Sequence, residues 1–123
     1  MKEKGFTLIE VLIALAILSI AMASIAPVFL SNFAFNNRNE LRTGAVAAAR
    51  QVLDGLRLQN PANLPLSGST SQEVIAGDKT YTVITKYCLI ATYCQSGSRH
   101  IRVEVQFHGQ KLYTADTVYT QLH

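Results

Sequence analysis

The chain has no tryptophan, only three prolines and only two cysteines among its 123 residues. It also lacks any dense run of one charge. Lys and Arg are scattered, so nothing in the charge pattern singles out nucleic acid as a partner. No glycine-rich phosphate loop is present. His100, His108 and His123 stand apart, without a nucleophile or metal-ligand spacing around them, and each reads as a surface residue. These absences exclude an enzyme of any familiar pattern, and no cofactor or metal is expected. Large apolar residues are also few outside the N-terminal region, too few for a large core, so one small domain leaning on a helix is expected.

The apolar residues are concentrated at the start. From Phe6 to Leu30 the chain is apolar except for Thr7, Glu10, Ser19 and Ser24, with Pro27 near the end. A helix of that length crosses a bilayer core of roughly 30 Å. The basic flank Met1-Lys2-Glu3-Lys4 places the N-terminus on the cytoplasmic side and the remainder outside. An ordinary secretory signal would want a shorter apolar region and a small-residue cleavage site. Ala21-Met22-Ala23 and Ala23-Ser24-Ile25-Ala26 look superficially like such sites. A plain single-pass anchor accounts for length and orientation but leaves Glu10 unexplained. An acidic residue at the centre of a spanning helix costs about 2.5–3.5 kcal/mol, somewhat less near an end, so Glu10 needs a partner.

Lys4-Gly5-Phe6-Thr7-Leu8-Ile9-Glu10 resembles the class III signal of type IV pilins and type II secretion pseudopilins. The resemblance covers about the first 25 residues. It implies that a prepilin peptidase cuts between Gly5 and Phe6 and that the new N-terminal Phe6 is methylated. Glu10 would then be the fifth residue of the mature chain, where the family carries glutamate, and Pro27 would match a proline that many pilins carry. The implied partners are other copies or related pilins in a helical filament, the peptidase, an inner-membrane assembly platform, and the bilayer before assembly. Glu10 has two candidate partners: the Phe6 ammonium of its own chain, favoured also by the helix dipole, or that of a neighbouring subunit, which would set helix register on docking.

Beyond Pro27 the pattern becomes amphipathic. Leu41, Ala45, Ala48, Val52 and Leu56 share one helical face. Asn60-Pro61 supplies a stop. The helix is therefore expected over about residues 6–58, roughly 80 Å at 1.5 Å per residue, with a kink at Pro27. Phe29, Phe33 and Phe35 beside Ser31, Asn32, Asn36 and Asn37 suit a membrane interface before assembly and an inter-subunit seam after it. Residues 61–72 read as a loop. Glu73–Ala76 and Lys79–Cys88 read as a hairpin around Gly77-Asp78, Ile101–Phe107 as a half-buried strand, and Lys111–Tyr119 as the last strand after a His108-Gly109-Gln110 turn. The expected fold is α+β, a long N-terminal helix packed on a small antiparallel sheet, and pilins share that arrangement. The segments are 1–5 leader, 6–30 transmembrane and polymerising half-helix, 31–60 amphipathic half-helix, and 61–123 loop plus sheet.

Outside the cytoplasm Cys88 and Cys94, six apart, are expected to oxidise to each other. Zinc is the rival, disfavoured by the lack of a Cys-x-x-Cys and by His100 being the one histidine nearby. The enclosed Leu89, Ile90 and Tyr93 are expected to cover the small core, the alternative being a neighbour. The functional expectation is a structural subunit of a type IV pilus, major or minor, held as a single-pass inner-membrane protein before assembly and extracellular afterwards. A periplasmic pseudopilin is the alternative, slightly disfavoured because only Glu73, Asp78 and Asp116 could serve the calcium loop such proteins often carry. A DNA-uptake or adhesive pilin is the other alternative, since Lys79, Lys86, Arg99, Arg102 and Lys111 make the C-terminal part basic.

Overall fold

A computed structural model describes residues 4–121. One α-helix, α1 (Leu8–Arg57), is followed by four strands: β1 (Ser69–Ala76), β2 (Lys79–Tyr87), β3 (Ser98–Phe107) and β4 (Gln110–Thr120). The chain divides into two compact units between Arg38 and Asn39.

The first unit is the apolar part of α1. Thr7 sits just ahead of the helix and accepts from the Glu10 and Val11 amides through its carbonyl, at 3.1 and 3.2 Å. Its Oγ1 also receives the Glu10 amide, at 3.4 Å. Thr7 therefore caps the helix, and Glu10 three residues on completes the Thr-x-x-Glu pattern of a capping box, with its carboxylate in the first turn where the dipole favours it. The helix continues through Pro27, whose nitrogen has no proton to give to the preceding turn.

The second unit is a sheet with the last part of α1 laid across it. Strand order is β1-β2-β3-β4, all neighbours antiparallel, a simple meander. Two-residue turns join β1 to β2 and β3 to β4. Gly77 (φ 69°) opens the first, while His108 (φ 48°) and Gly109 (φ 80°) form the second, and positive φ at such positions matches the twist of the flanking strands. The helix buries Ala45, Ala48, Ala49 and Val52 against Tyr81, Val83, Ile101, Val103 and Val105. That stripe follows the i, i+3, i+4, i+7 rule, and its alanines let the helix backbone approach the sheet. Gly44 extends the close approach: a Cβ there would lie 2.7 Å from Tyr81 Cζ, so only glycine leaves the buried Tyr81 ring its place. Leu41 and Leu56, placed on the same face by sequence, are only half-buried, at the two ends of the stripe.

The strands depart from the sequence reading at their ends. Residues 69–72, read as loop from their Ser/Thr/Gln content, belong to β1, in register with Ile84–Lys86 and Val83 of β2. Backbone pairing carries that stretch, since its side chains are exposed on both faces, and composition gives no sign of it. The remaining loop opens with a 3-10 turn, Pro61–Asn63, capped by Asn60 Oδ1 receiving the Ala62 amide at 3.0 Å. Leu64 then plugs the core. Strand β3 begins three residues earlier than Ile101, and two of these, Arg99 and His100, are buried.

Candidate functional site

The described residues before α1, Lys4 to Thr7, are exposed. Nothing in the fold demands a glycine at position 5: a Cβ placed there would meet no heavy atom within 4 Å. Any constraint on Gly5 therefore comes from something that acts on the chain. Phe6 beside it is 83% exposed.

From Leu8 to Phe35 the large apolar side chains of α1 lie open on every side, among them Leu12, Ile13, Leu15, Ile17 and Leu18. The most apolar 18-residue window of this helix has a mean hydropathy of 2.5 and no share of it is buried. An uninterrupted apolar surface of that extent has to be covered by lipid or by another chain. The two serines within it are satisfied inside the helix, Ser19 Oγ donating to the Leu15 carbonyl (2.8 Å) and Ser24 Oγ to that of Ile20 (2.9 Å), as a nonaqueous surrounding requires. Glu10 is the exception. Among the described residues no cation lies within ion-pair distance of its carboxylate. Along the sequence Thr7 was named only as part of the motif and given no capping role, although its Thr-x-x-Glu spacing was the available signal.

The sheet unit has a different character. Each of the five cations that made it look basic is engaged internally. Lys79 pairs with Glu40 of α1 and with Asp78 at 3.1 Å. Lys86 and Lys111 both reach Glu104 Oε1, at 3.0 and 3.3 Å. Arg102 grips Asp116 with two bonds, 2.7 and 3.2 Å. Arg99 is buried and donates to the carbonyls of Leu64 (3.1 Å), Ala62 (3.2 Å), Ser98 (2.8 Å) and Gln95, fastening the loop after α1 to β3. The electrostatics follow from these contacts. Hydrogen bonds from Lys86 chiefly, then Lys111, hold the Glu104 carboxyl below its ordinary range despite its burial. The Arg102 bond does the same for Asp116, and Lys79 for Asp78.

His100 corrects the surface reading. It is 2% exposed, with Nε2 3.1 Å from Asp116 Oδ1 and Nδ1 without a partner among the described residues. Its backbone lies between β4, where it pairs with Val118, and the disulfide loop, where the Cys88 amide donates to its carbonyl (2.8 Å) and its own amide donates to Cys94 Sγ (3.2 Å). Crowding from both sides buries it, which no local pattern announces. His108 is exposed in its turn, and His123 lies outside the described residues.

Cys88 and Cys94 form a disulfide, with Cα atoms 5.7 Å apart. The loop it closes does not cover the core: Leu89 and Tyr93 are each 51% exposed, and Ile90 is 39% exposed. The core under the helix is already filled by Tyr81, Val83 and the β3 valines, so these three side chains turn to the outside. Among the described residues no group of three or more His, Cys, Asp or Glu side chains could hold a metal ion. Asp78 and Asp116 face cations instead, and Glu73 is an exposed residue of β1.

Comparison with known proteins bears on the N-terminal part alone. Residues 1–26 match the family model described as the prokaryotic N-terminal methylation motif, the class III signal peptide of type IV pilins and pseudopilins. No curated protein and no solved structure matches the chain.

Proposed function

We propose that this chain is the precursor of a filament subunit: a type IV pilin, major or minor, that waits in the inner membrane and polymerises through α1. The observation that carries the reading is the coincidence of two features on one short stretch. The methylation motif covers residues 1–26, and from Leu8 onward that stretch lies in α1, where the apolar surface is open all round and holds one acid, Glu10, without a partner among the described residues.

Cleavage between Gly5 and Phe6 frees an ammonium on Phe6, four residues before Glu10. In hydrocarbon an unpaired carboxylate is costly, so a neighbouring subunit's Phe6 ammonium offered at the filament base draws Glu10 into register there. The apolar flanks of α1 then exchange lipid for the helices of other subunits. Pro27, lacking one backbone bond, marks where the helix can loosen in that exchange. The open Gly5 fits a backbone that a peptidase must approach closely. The sheet unit, with Lys79, Lys86, Arg99, Arg102 and Lys111 all engaged internally, serves as the folded head of a structural subunit rather than as a catalyst.

The test compares wild type, Gly5→Leu and Glu10→Val by intact mass and by immunoblot of membrane and sheared-filament fractions. Wild type should begin at Phe6, N-methylated, and appear in sheared filaments. Gly5→Leu should remain uncut and stay in the membrane. Glu10→Val should be cut normally yet fall at least about tenfold in filaments, as removal of a desolvated pairing worth a few kcal/mol predicts. A mature chain starting near Ala26 would sink the proposal, and normal incorporation of Glu10→Val would reject intermolecular pairing. Cut wild-type protein confined to the periplasm would transfer the reading to a pseudopilus.

A further inference from the structure

The sheet ends in an open edge at β1. Antiparallel bonding alternates residue by residue, and the Tyr87 amide donates to the Gly68 carbonyl at 3.0 Å. In the same register Thr70, Gln72, Val74 and Ala76 direct their backbone groups to β2. Ser69, Ser71, Glu73 and Ile75 therefore aim theirs outward, and β1 is the terminal strand. Edge strands are usually blunted by proline, lysine, a bulge or a covering segment. β1 (STSQEVIA) has no proline and no lysine, and its pairing with β2 runs without a register shift. Strand β4, at the opposite edge, carries Lys111 and lies beside the one irregularity, at Val105/Gln106.

Next to this edge, on the helix side, lies an open groove of about 490 Å³. Gln51 from α1 and Gln59 just beyond it face Thr70 and Gln72 from β1 across it, with Leu64 and Val74 lower in its walls, and among the described residues no charged side chain lines it. Amides and hydroxyls without an ion would leave a charged guest desolvated and unpaired, whereas an uncharged chain meets partners for its polar groups. The open row of backbone donors and acceptors asks for an extended backbone.

We infer that β1 and this groove bind an extended, uncharged peptide segment of a partner protein, which adds a fifth strand to the sheet. Main-chain bonds to Ser69, Ser71, Glu73 and Ile75 hold it, and alternate side chains enter the groove. The inference is independent of how α1 assembles.

The test uses the full chain in detergent micelles and a capped hexapeptide of alternating threonine and valine, with residue-resolved amide exchange as readout. Saturable binding should slow exchange at Ser69, Ser71, Glu73 and Ile75. Ser71→Pro removes one outward donor without touching the β2 bonds, and Gln72→Lys puts a charge in the groove; each should weaken binding about tenfold or more. Should Ser71→Pro also unsettle the sheet, unchanged affinity in a normally folded Gln72→Lys still overturns the inference. No slowing at about 1 mM peptide, weaker than any useful recognition, overturns it too. So does slowing without peptide that grows with protein concentration, which would assign the edge to a second copy. Equal binding of a hexapeptide with lysine in place of threonine would refute the uncharged chemistry.

Discussion

The two units of this chain solve opposite problems with the same helix. Up to Arg38, α1 leaves its large apolar side chains open, and its one acid has no partner among the described residues. From Asn39 onward the buried helix residues are small, three alanines and Val52, and close against larger strand residues, and the acids are mostly held by cations. A surface that must be covered by something else can tolerate an unpaired charge only if that covering supplies the partner. A surface that is closed internally has to supply its own. The stability of the chain should therefore reside in the sheet unit, and its assembly in the apolar unit.

Breaking the core should separate the two most sharply. Ile101 is fully buried, and Ile101→Ala should cost about 3 kcal/mol through lost transfer and the cavity left behind. Thermal unfolding of the detergent-solubilised chain should shift down by more than about 10 °C. Ile13→Ala, the same deletion at a side chain 55% exposed, should move that transition by less than about 0.5 kcal/mol. Equal shifts would mean the units do not divide stability as described.

The disulfide should rank next. Cys88→Ser opens a short loop, and the chain-entropy estimate gives about 2 kcal/mol. Reductant should shift the wild-type transition by the same amount and leave Cys88→Ser unmoved. Processing at Gly5 should be unaffected in both. A variant as stable as wild type would show that the exposed loop is held by its hydrogen bonds, such as those to His100 and Ser98, without the bridge.

Acid should have the smallest effect of the three. Glu104 and Asp116 have folded values held below the ordinary carboxylate range by their Lys86 and Arg102 hydrogen bonds. Carboxyls lowered in the folded state contribute stability that is complete above their unfolded values of about 4 and is lost as pH falls through the folded ones. Melting temperature should accordingly be flat near neutrality and decline below about pH 4. Glu104→Gln should flatten that decline. An unchanged acid limb in Glu104→Gln would place the dependence elsewhere, with Asp116 the next group to replace.

Much of the fold could be read along the chain. The apolar run, the helix stop at Asn60-Pro61 and the alternation of Ile101, Val103, Val105 and Phe107 are local patterns, and each names its element without knowledge of the rest. Residues 69–72 escaped because backbone pairing with β2, not side-chain burial, makes them strand. At the N-terminus the methylation motif was legible because it is a linear run of residues, readable without knowledge of the fold.

The roles of the charged and polar residues were not linear. Five scattered cations suggested a basic surface, but cross-strand register turned Lys86, Arg102 and Lys111 toward acids, while helix and loop packing gave Lys79 the Glu40 carboxylate and Arg99 a set of carbonyls. His100 became buried because strand β4 and the disulfide loop flank it from both sides. Gly44 became irreplaceable only when Tyr81, on a strand far along the chain, came to rest against it. Patterns of period two or three and six tenths report which face of an element is dry. Which partner waits on that face depends on long-range pairing, and that is a property of the folded chain.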